Sequence, residues 1–379
     1  MPRYHLHLYY CDWTHESRAW RAGTAALEHG FADQIIYAGY RVSGLPEIEE
    51  IGPGQTVRRI GPEPSRPGSP RLKRALSLPR WWQAFQNMLN GQEIGLVTAH
   101  SLASLPGAAM LARRTGAPLI YDAHELESER QGWAGPVRWA ARVLEGHFVR
   151  QVDHTLAVSD TIRDWYAATY PNLAVSTLRN VPELGHMGST ARSLREDLGL
   201  SKSDLVYAYC GAFGGGRGLI QLIDAFLAAP RDRHLVLVGY GPLESELRSR
   251  AENLPNVHIH PAVPSSELVA FLSGADVGVF VPDGQSLSYQ YCLPNKVFEY
   301  AAAGLALLLG PGPELARFAA GYPAARLTAP DADVISAVLH EWDVADIRGQ
   351  RPALEAFSPP NWATEKSKLL DIYGGLLRS

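Results

Sequence analysis

Short apolar runs rich in β-branched and aromatic residues alternate along this chain with stretches of helical periodicity, and no other feature of the sequence limits its fold so sharply. "HLHLYY" near residue 5, "QIIYAG" near 34, "GLVTAH" near 95, "PLIYDAHE" near 118 and "HTLAVS" near 154 form a first series. After about residue 200 a second follows: "LVYAYCG", "HLVLVGYG", "NVHIHP", "ADVGVFVP" and "LALLLG". Strands joined by helix-length connections run parallel, so each series predicts a doubly wound α/β sheet. At 379 residues the chain has room for two such domains. Their junction is expected in "RNVPELGHMGSTARS", residues 179–193, giving domains 1–182 and 183–359. Sheets of this kind bind ligands at the carboxyl ends of their strands, so two facing domains would hold a ligand in the cleft between them.

A net charge of −4 with 20% charged and 46% hydrophobic residues describes an ordinary soluble chain. A disordered chain or a nucleic-acid partner is not indicated. Cys11, Cys210 and Cys292 lie far apart without C-x-x-C spacing, which argues against a zinc ribbon or a disulfide framework and fits a reducing cytoplasm. "MPRYHLHLYY" lacks a signal-peptide core, and "AAAGLALLLG" (301–310) is too short to span a bilayer, so any membrane contact is expected to be peripheral. One segment departs from this even composition. Residues 58–80 carry seven basic side chains against the single acid Glu63, and Trp81, Trp82 and Phe85 follow at once. Two accounts stand: a solvated loop with Trp81 and Trp82 partly buried in the domain, or a basic, aromatic-tipped surface from Arg58 to Phe85 that docks on anionic lipid or a lipid-linked acceptor.

The stretch "YCGAFGGGRGLIQLIDAF" (209–226) joins an apolar strand to a helix through glycines. It is not a P-loop, because Arg217 and Gly218 stand where Lys and Ser/Thr would be, and it misses the spacing of a dinucleotide fingerprint. Amides around Gly214, Gly215 and Gly216, the helix N-terminus and the fork of Arg217 would together suit a phosphate. A tight turn with a solvated Arg217 is the alternative. Some eighty residues on, "LPNKVFEYAAAGLALLLG" predicts a helix from Lys296 to Ala303, ended by Gly304 before a buried strand. Asn295 and Lys296 fall in its first turn, where a cation opposes the helix dipole and invites an anion. Glu299, one turn further, is placed to accept from ribose hydroxyls or else is a surface carboxylate.

"CGAFGGGRGL", "LVLVGYGPLESELRSRA", "VHIHPAVPSSELVAFLSGADVGVFVP" and "LPNKVFEYAAAGLALL", in this order, resemble the donor domain of the family 4-like glycosyltransferases of GT-B fold. "AHSLASLPGAAMLARRTGAPLIYDAHELESER" resembles a branch of that family with a Y-D-x-H-E motif, and "FSPPNWATEKSKLLDIYGGLL" resembles terminal helices that return, from about 360 to 379, to the first domain. The resemblance implies two Rossmann-like domains, an acceptor-binding first one and a donor-binding second one. Arg217 and the amides of Gly214 to Gly216 would bind the diphosphate of a nucleotide-sugar, with Lys296 and Asn295 at phosphate and sugar, Glu299 on the ribose and Val263 against the base. His124 would reach the transferred sugar, with Glu125 beside it and His100 on the adjacent strand end.

Two positions depart from the family pattern: Tyr291 stands where the first Glu of E-x₇-E belongs, and Ala212 where an Arg is usual. The Gly-Gly acceptor loop is absent, leaving His15, Glu16 and Arg18 as residues that could orient an acceptor, unless Thr14 simply caps a solvated helix there. The implied activity is transfer of a sugar to an acceptor hydroxyl with retention, without a metal since no D-x-D element is placed to hold one, in the synthesis of a glycan or glycolipid at or near the cytoplasmic membrane face. Rival expectations are a nucleotide-sugar epimerase or hydrolase of the same fold, and a non-catalytic nucleotide-sugar-binding partner of another transferase.

Overall fold

The computed structural model describes residues 2–378 except 15, 62, 64–70, 89–90 and 184–192, and the backbone alone for 71–76. It divides into two units, Met1–Arg179 with Thr364–Ser379, and Asn180–Ala363.

In the first unit eight strands form one sheet: β1 Arg3–Tyr9, β2 Gln34–Tyr40, β3 Ile48–Gly52, β4 Gln55–Ile60, β5 Glu93–His100, β6 Leu119–Ala123, β7 His154–Ala157 and β8 Val175–Thr177. Their order is β3-β4-β2-β1-β5-β6-β7-β8, parallel throughout except for the β3–β4 pair. Strand order reverses between β1 and β5, whose register brings Tyr9 opposite His100. Ile35, Ile36, Leu96, Val97, Leu119 and Ile120 are fully or almost fully buried, as continuous apolar strands under helices on both faces should be.

The segment from Arg58 to Phe85 corrects one of the two sequence expectations. Arg58 and Arg59 are not loop residues but part of β4, and Arg59 is 2% exposed, with its guanidinium on Glu49 at 2.7 Å and on the carbonyls of Asp12 and Pro46. Helix Arg71–Met88 does form. Its aromatic residues face inward, however: Trp81 and Phe85 are buried, Trp81 Nε1 donates to Gly39 O at 3.0 Å, and the half-buried Trp82 donates to Ala103 O at 2.9 Å. An aromatic tip is therefore excluded, because burying these rings is worth more than presenting them to solvent. No helix among the described residues is long and apolar enough to cross a membrane.

The second unit holds a six-stranded sheet: β9 Leu205–Cys210, β10 Arg233–Val238, β11 Val257–His260, β12 Val277–Phe280, β13 Ala306–Leu309 and β14 Ala325–Leu327. Every pair is parallel and the order is β11-β10-β9-β12-β13-β14, the doubly wound arrangement of mononucleotide-binding halves. Order reverses between β9 and β12. The glycine-rich loop leaves β9 at that point, where such sheets take their ligands. Around it lies a core that runs from Val206 and Tyr207 through Leu235 and Val279 to Leu307.

Candidate active site

In the second unit, β9 ends at Cys210 and the chain turns at Gly211 with φ +126°. A Cβ there would lie 3.0 Å from Lys296 Nζ, so glycine is what lets the ammonium come up beneath the turn. Lys296 belongs to helix Asn295–Ala302, is 7% exposed, and its Nζ has no hydrogen-bond partner among the described residues. It sits 3.9 Å from the centroid of the Tyr209 ring and 5.0 Å from that of Phe280. Ring faces attract the charge but offer it no acceptor. Glu299, on the same helix, accepts from Cys210 Sγ at 3.7 Å. Burial first and the Glu299 charge second push that thiol up to about 12.

Past Gly211 the loop is tied by Phe213 N to Tyr240 O, by the Tyr289 hydroxyl to Gly215 O, and by Gly218 N to Asp283 Oδ1 at 2.9 Å. Gly218 has φ +69°, and a Cβ on it would meet Val281 O at 1.9 Å. The amides of Gly215, Gly216 and Arg217 make no hydrogen bond among the described residues, and Arg217 Nε is a buried donor without a partner, folded back against Gly214. Three amides, a guanidinium and an ammonium around one strand end form a set of donors without acceptors, which is the chemistry of an anion site. Asp283, which the sequence reading passed over, fixes the loop by taking both Gly218 N and Gln221 Nε2. Asn295 is the first residue of the Lys296 helix, Tyr291 directly follows the short helix Leu287–Gln290, and Val263 lies half-buried between β11 and helix Ser265–Leu272.

The first unit gathers a different chemistry at the ends of β1, β5 and β6. His100 closes β5 and is fully buried, while His124 follows β6 with 19% of its side chain exposed. The two rings share a hydrogen bond of 3.0 Å between Nδ1 of His100 and Nε2 of His124. Asp122 Oδ2 lies 3.3 Å from the first of these nitrogens and 3.5 Å from the second. Behind His100, its Nε2 meets His7 Nδ1 at 2.9 Å. Burial lowers His100 to about 4, so both buried rings are neutral near pH 7. Burial alone would raise the Asp122 carboxyl, but the Arg18 guanidinium above all, and then the neighbouring histidines, hold it well below the usual carboxylate range.

Arg18 is placed differently from the acceptor contact its position suggested. It is 4% exposed, and its Nε and Nη2 grip Asp122 at 2.8–3.2 Å. Its charge is spent inside the unit. Thr14 is no helix cap, since it bonds Asp12 and the N-cap of helix Ser17–Glu28 is Glu16, which makes no side-chain capping bond. His15 lies outside the described residues. Glu125 pairs with Arg130 at 2.7 Å, and Arg130 also faces the buried Glu127, whose carboxyl burial raises. Asp122, His7 and Asp283 are the residues that sequence reasoning missed. For His7 a signal existed, because the alternation H-L-H-L puts His5 and His7 on one face of β1.

A nucleotide-type sheet with an anion cradle at its switch point, and a second parallel sheet ending in histidines, are the two halves of the GT-B architecture. Residues 15–180 match the glycosyl transferase 4-like domain and residues 205–338 the glycosyl transferases group 1 domain; the chain belongs to the glycosyltransferases that carry this pair. Among solved structures, sucrose-phosphate synthase from Thermosynechococcus elongatus is 16% identical over 99% of both chains, with a TM-score of 0.81. Anabaena HepE in complex with UDP-glucose is 14% identical over 98% of this chain and 99% of its own, with a TM-score of 0.71. WaaG, a glycosyltransferase involved in lipopolysaccharide biosynthesis, is 15% identical over 98% and 100%, with a TM-score of 0.67. At these identities the likeness is one of fold. No curated protein matches the chain by sequence.

Proposed function

We propose that this glycosyltransferase takes a nucleoside-diphosphate sugar as donor and passes the sugar, with retained anomeric configuration, to a hydroxyl of a glycan or lipid-linked acceptor. The observation that carries this is Lys296: an ammonium 7% exposed, with no hydrogen-bond partner among the described residues, beside a glycine turn at a parallel strand end. Such a buried cation is costly unless an anion joins it. A departing diphosphate supplies one, and donors already fixed around developing charge are the largest electrostatic contribution to expect. Arg217 and the amides of Gly215 and Gly216 complete the cradle. Glu299 and Val263 take the ribose and base, and Asn295 and Tyr291 border the sugar. His124, with Glu125 nearby, acts on the transferred sugar, and the first unit receives the acceptor.

Cationic side chains neutralise the diphosphate here, so no metal is needed at it. HepE was solved in complex with UDP-glucose, which makes uridine the base to try first. A lipid-linked acceptor would bring the chain to the cytoplasmic face of a membrane through basic residues of the 58–80 segment and not through Trp81 and Phe85, which are buried. Co-sedimentation with anionic vesicles checks that point; a chain left in the supernatant contradicts it. Incubating a donor panel with and without acceptors tests the reaction. Sugar transfer that needs the acceptor is expected, whereas an epimer formed without one would point to an isomerase.

A further inference from the structure

The cluster at the ends of β5 and β6 has a geometry that hydrogen bonding alone does not satisfy. His100 Nδ1, His124 Nε2 and Asp122 Oδ2 face one another at 3.0, 3.3 and 3.5 Å. One proton serves the line between the two nitrogens, yet the carboxylate oxygen faces both of them. Whichever ring carries that proton, the other presents a lone pair to the carboxylate. A cation at the centre removes the conflict, because all three atoms then point lone pairs at it.

The spacing fits this closely. Tetrahedral zinc with bonds of about 2.0–2.1 Å holds its ligand atoms about 3.3–3.4 Å apart. We propose that His100, Asp122 and His124 form a binding site for a divalent transition-metal ion of the zinc type, three-coordinated by protein with the fourth position open. Two imidazoles and one carboxylate oxygen select zinc, cobalt or copper over magnesium and calcium, which want oxygen shells. Outer partners that such ligands need are in place. His7 Nδ1 meets the remote nitrogen of His100 at 2.9 Å, and Arg18 holds both oxygens of Asp122, donating from Nη2 to Oδ1 at 2.8 Å and from Nε to Oδ2 at 2.9 Å, which leaves Oδ2 a second lone pair for the ion. Because Arg18 offsets the carboxylate charge, the imidazoles supply most of the binding, and affinity is moderate rather than that of a structural zinc. His124, 19% exposed, gives the ion its way in.

Ligation through Nε2 leaves Nδ1 as the protonated nitrogen of His124, so the ion would also fix that ring's tautomer. The site is built by the first unit alone, and its binding is measured without any nucleotide. The full chain, free of a polyhistidine tag, is titrated with ZnCl2 by calorimetry and with CoCl2 by visible absorption, with MgCl2 as control. Expected are one equivalent of zinc, the intense visible bands of tetrahedral cobalt, and no magnesium response. His124→Ala, at the exposed edge of the cluster, should abolish the cobalt bands while the melting temperature stays near that of the parent. His7→Gln should weaken zinc roughly 10- to 100-fold. Absence of the cobalt bands, or bands and zinc affinity unchanged in His124→Ala, overturns the site.

Discussion

Lys296 is the residue on which the proposed donor site turns. Its ammonium lies 3.9 Å from the Tyr209 ring centroid and has no hydrogen-bond acceptor among the described residues. If a diphosphate is its natural partner, Lys296→Ala removes a charge-assisted bond worth roughly 1.5–3 kcal/mol, or about 10- to 150-fold in nucleotide affinity. Arg217→Ala should lower turnover by roughly 10²- to 10³-fold, as loss of one donor to a developing anion does elsewhere. Steady-state kinetics against a competent donor reads that loss; a variant with parental turnover would remove Arg217 from the cradle. A second residue tests the electrostatics of the first unit. Glu145 is buried and accepts from the hydroxyls of Tyr121, Tyr166 and Tyr170, and burial raises its carboxyl above the ordinary value of 4.5. The folded chain therefore holds this proton more tightly than the unfolded one. Its contribution to stability is complete below about pH 4.5 and falls as pH rises through the raised value. Glu145→Gln keeps an oxygen for the hydroxyls and drops the titration, so its melting temperature should gain more over the parent at pH 8 than at pH 5. An equal difference at both pH values would contradict the sign.

At the scale of elements, the glycine-rich loop shows how backbone geometry would build the proposed donor site. Gly218 combines φ +69° with an approach to Val281 O that leaves no room for a Cβ, which would sit at 1.9 Å. Gly218→Ala should cost on the order of 1–3 kcal/mol in strain and shift the amides that precede it. Loss of nucleotide binding with a lowered melting temperature is expected, and calorimetry with a nucleoside diphosphate measures it. Much of this scale could be read from the sequence. The apolar runs at β1, β2, β5, β6, β7 and β9 to β13 announced themselves because strands buried on both faces need continuous hydrophobic residues. The β3–β4 pair did not: "IEEIG" is an edge strand with both isoleucines exposed, "QTVRRI" carries two arginines with only Val57 and Arg59 buried, and both sit between glycines and prolines that read as loop. β8 and β14 are three residues each, too short for any periodicity. The glycine loop, Lys296 and Glu299 were legible because each stands in a local pattern. Asp122 and Asp283 were not, because their roles depend on Arg18 and on Gly218, 104 and 65 residues away.

The whole chain divides into two units whose sequence boundaries are not continuous, since residues 364–379 belong with the first unit rather than with the one they follow. Glu365, Leu369 and Tyr373 are all but fully buried, and Glu365 accepts from Arg179 N at 2.8 Å. Truncation before Trp362 should therefore destabilise the first unit by stripping cover from its core, while the second unit keeps its nucleotide affinity. Calorimetric unfolding with and without a nucleoside diphosphate separates the two effects, and lost nucleotide binding in the truncated chain would contradict the division. The central claim is that the second unit holds a donor diphosphate on its own cations, without a metal. Titration calorimetry of UDP into the parent and into Lys296→Ala, both in EDTA, tests it most directly. Binding by the parent in EDTA with a loss of about 10-fold or more in the variant is the predicted result. Equal affinity of the two proteins, or parental binding that appears only when a divalent ion is restored, would contradict it.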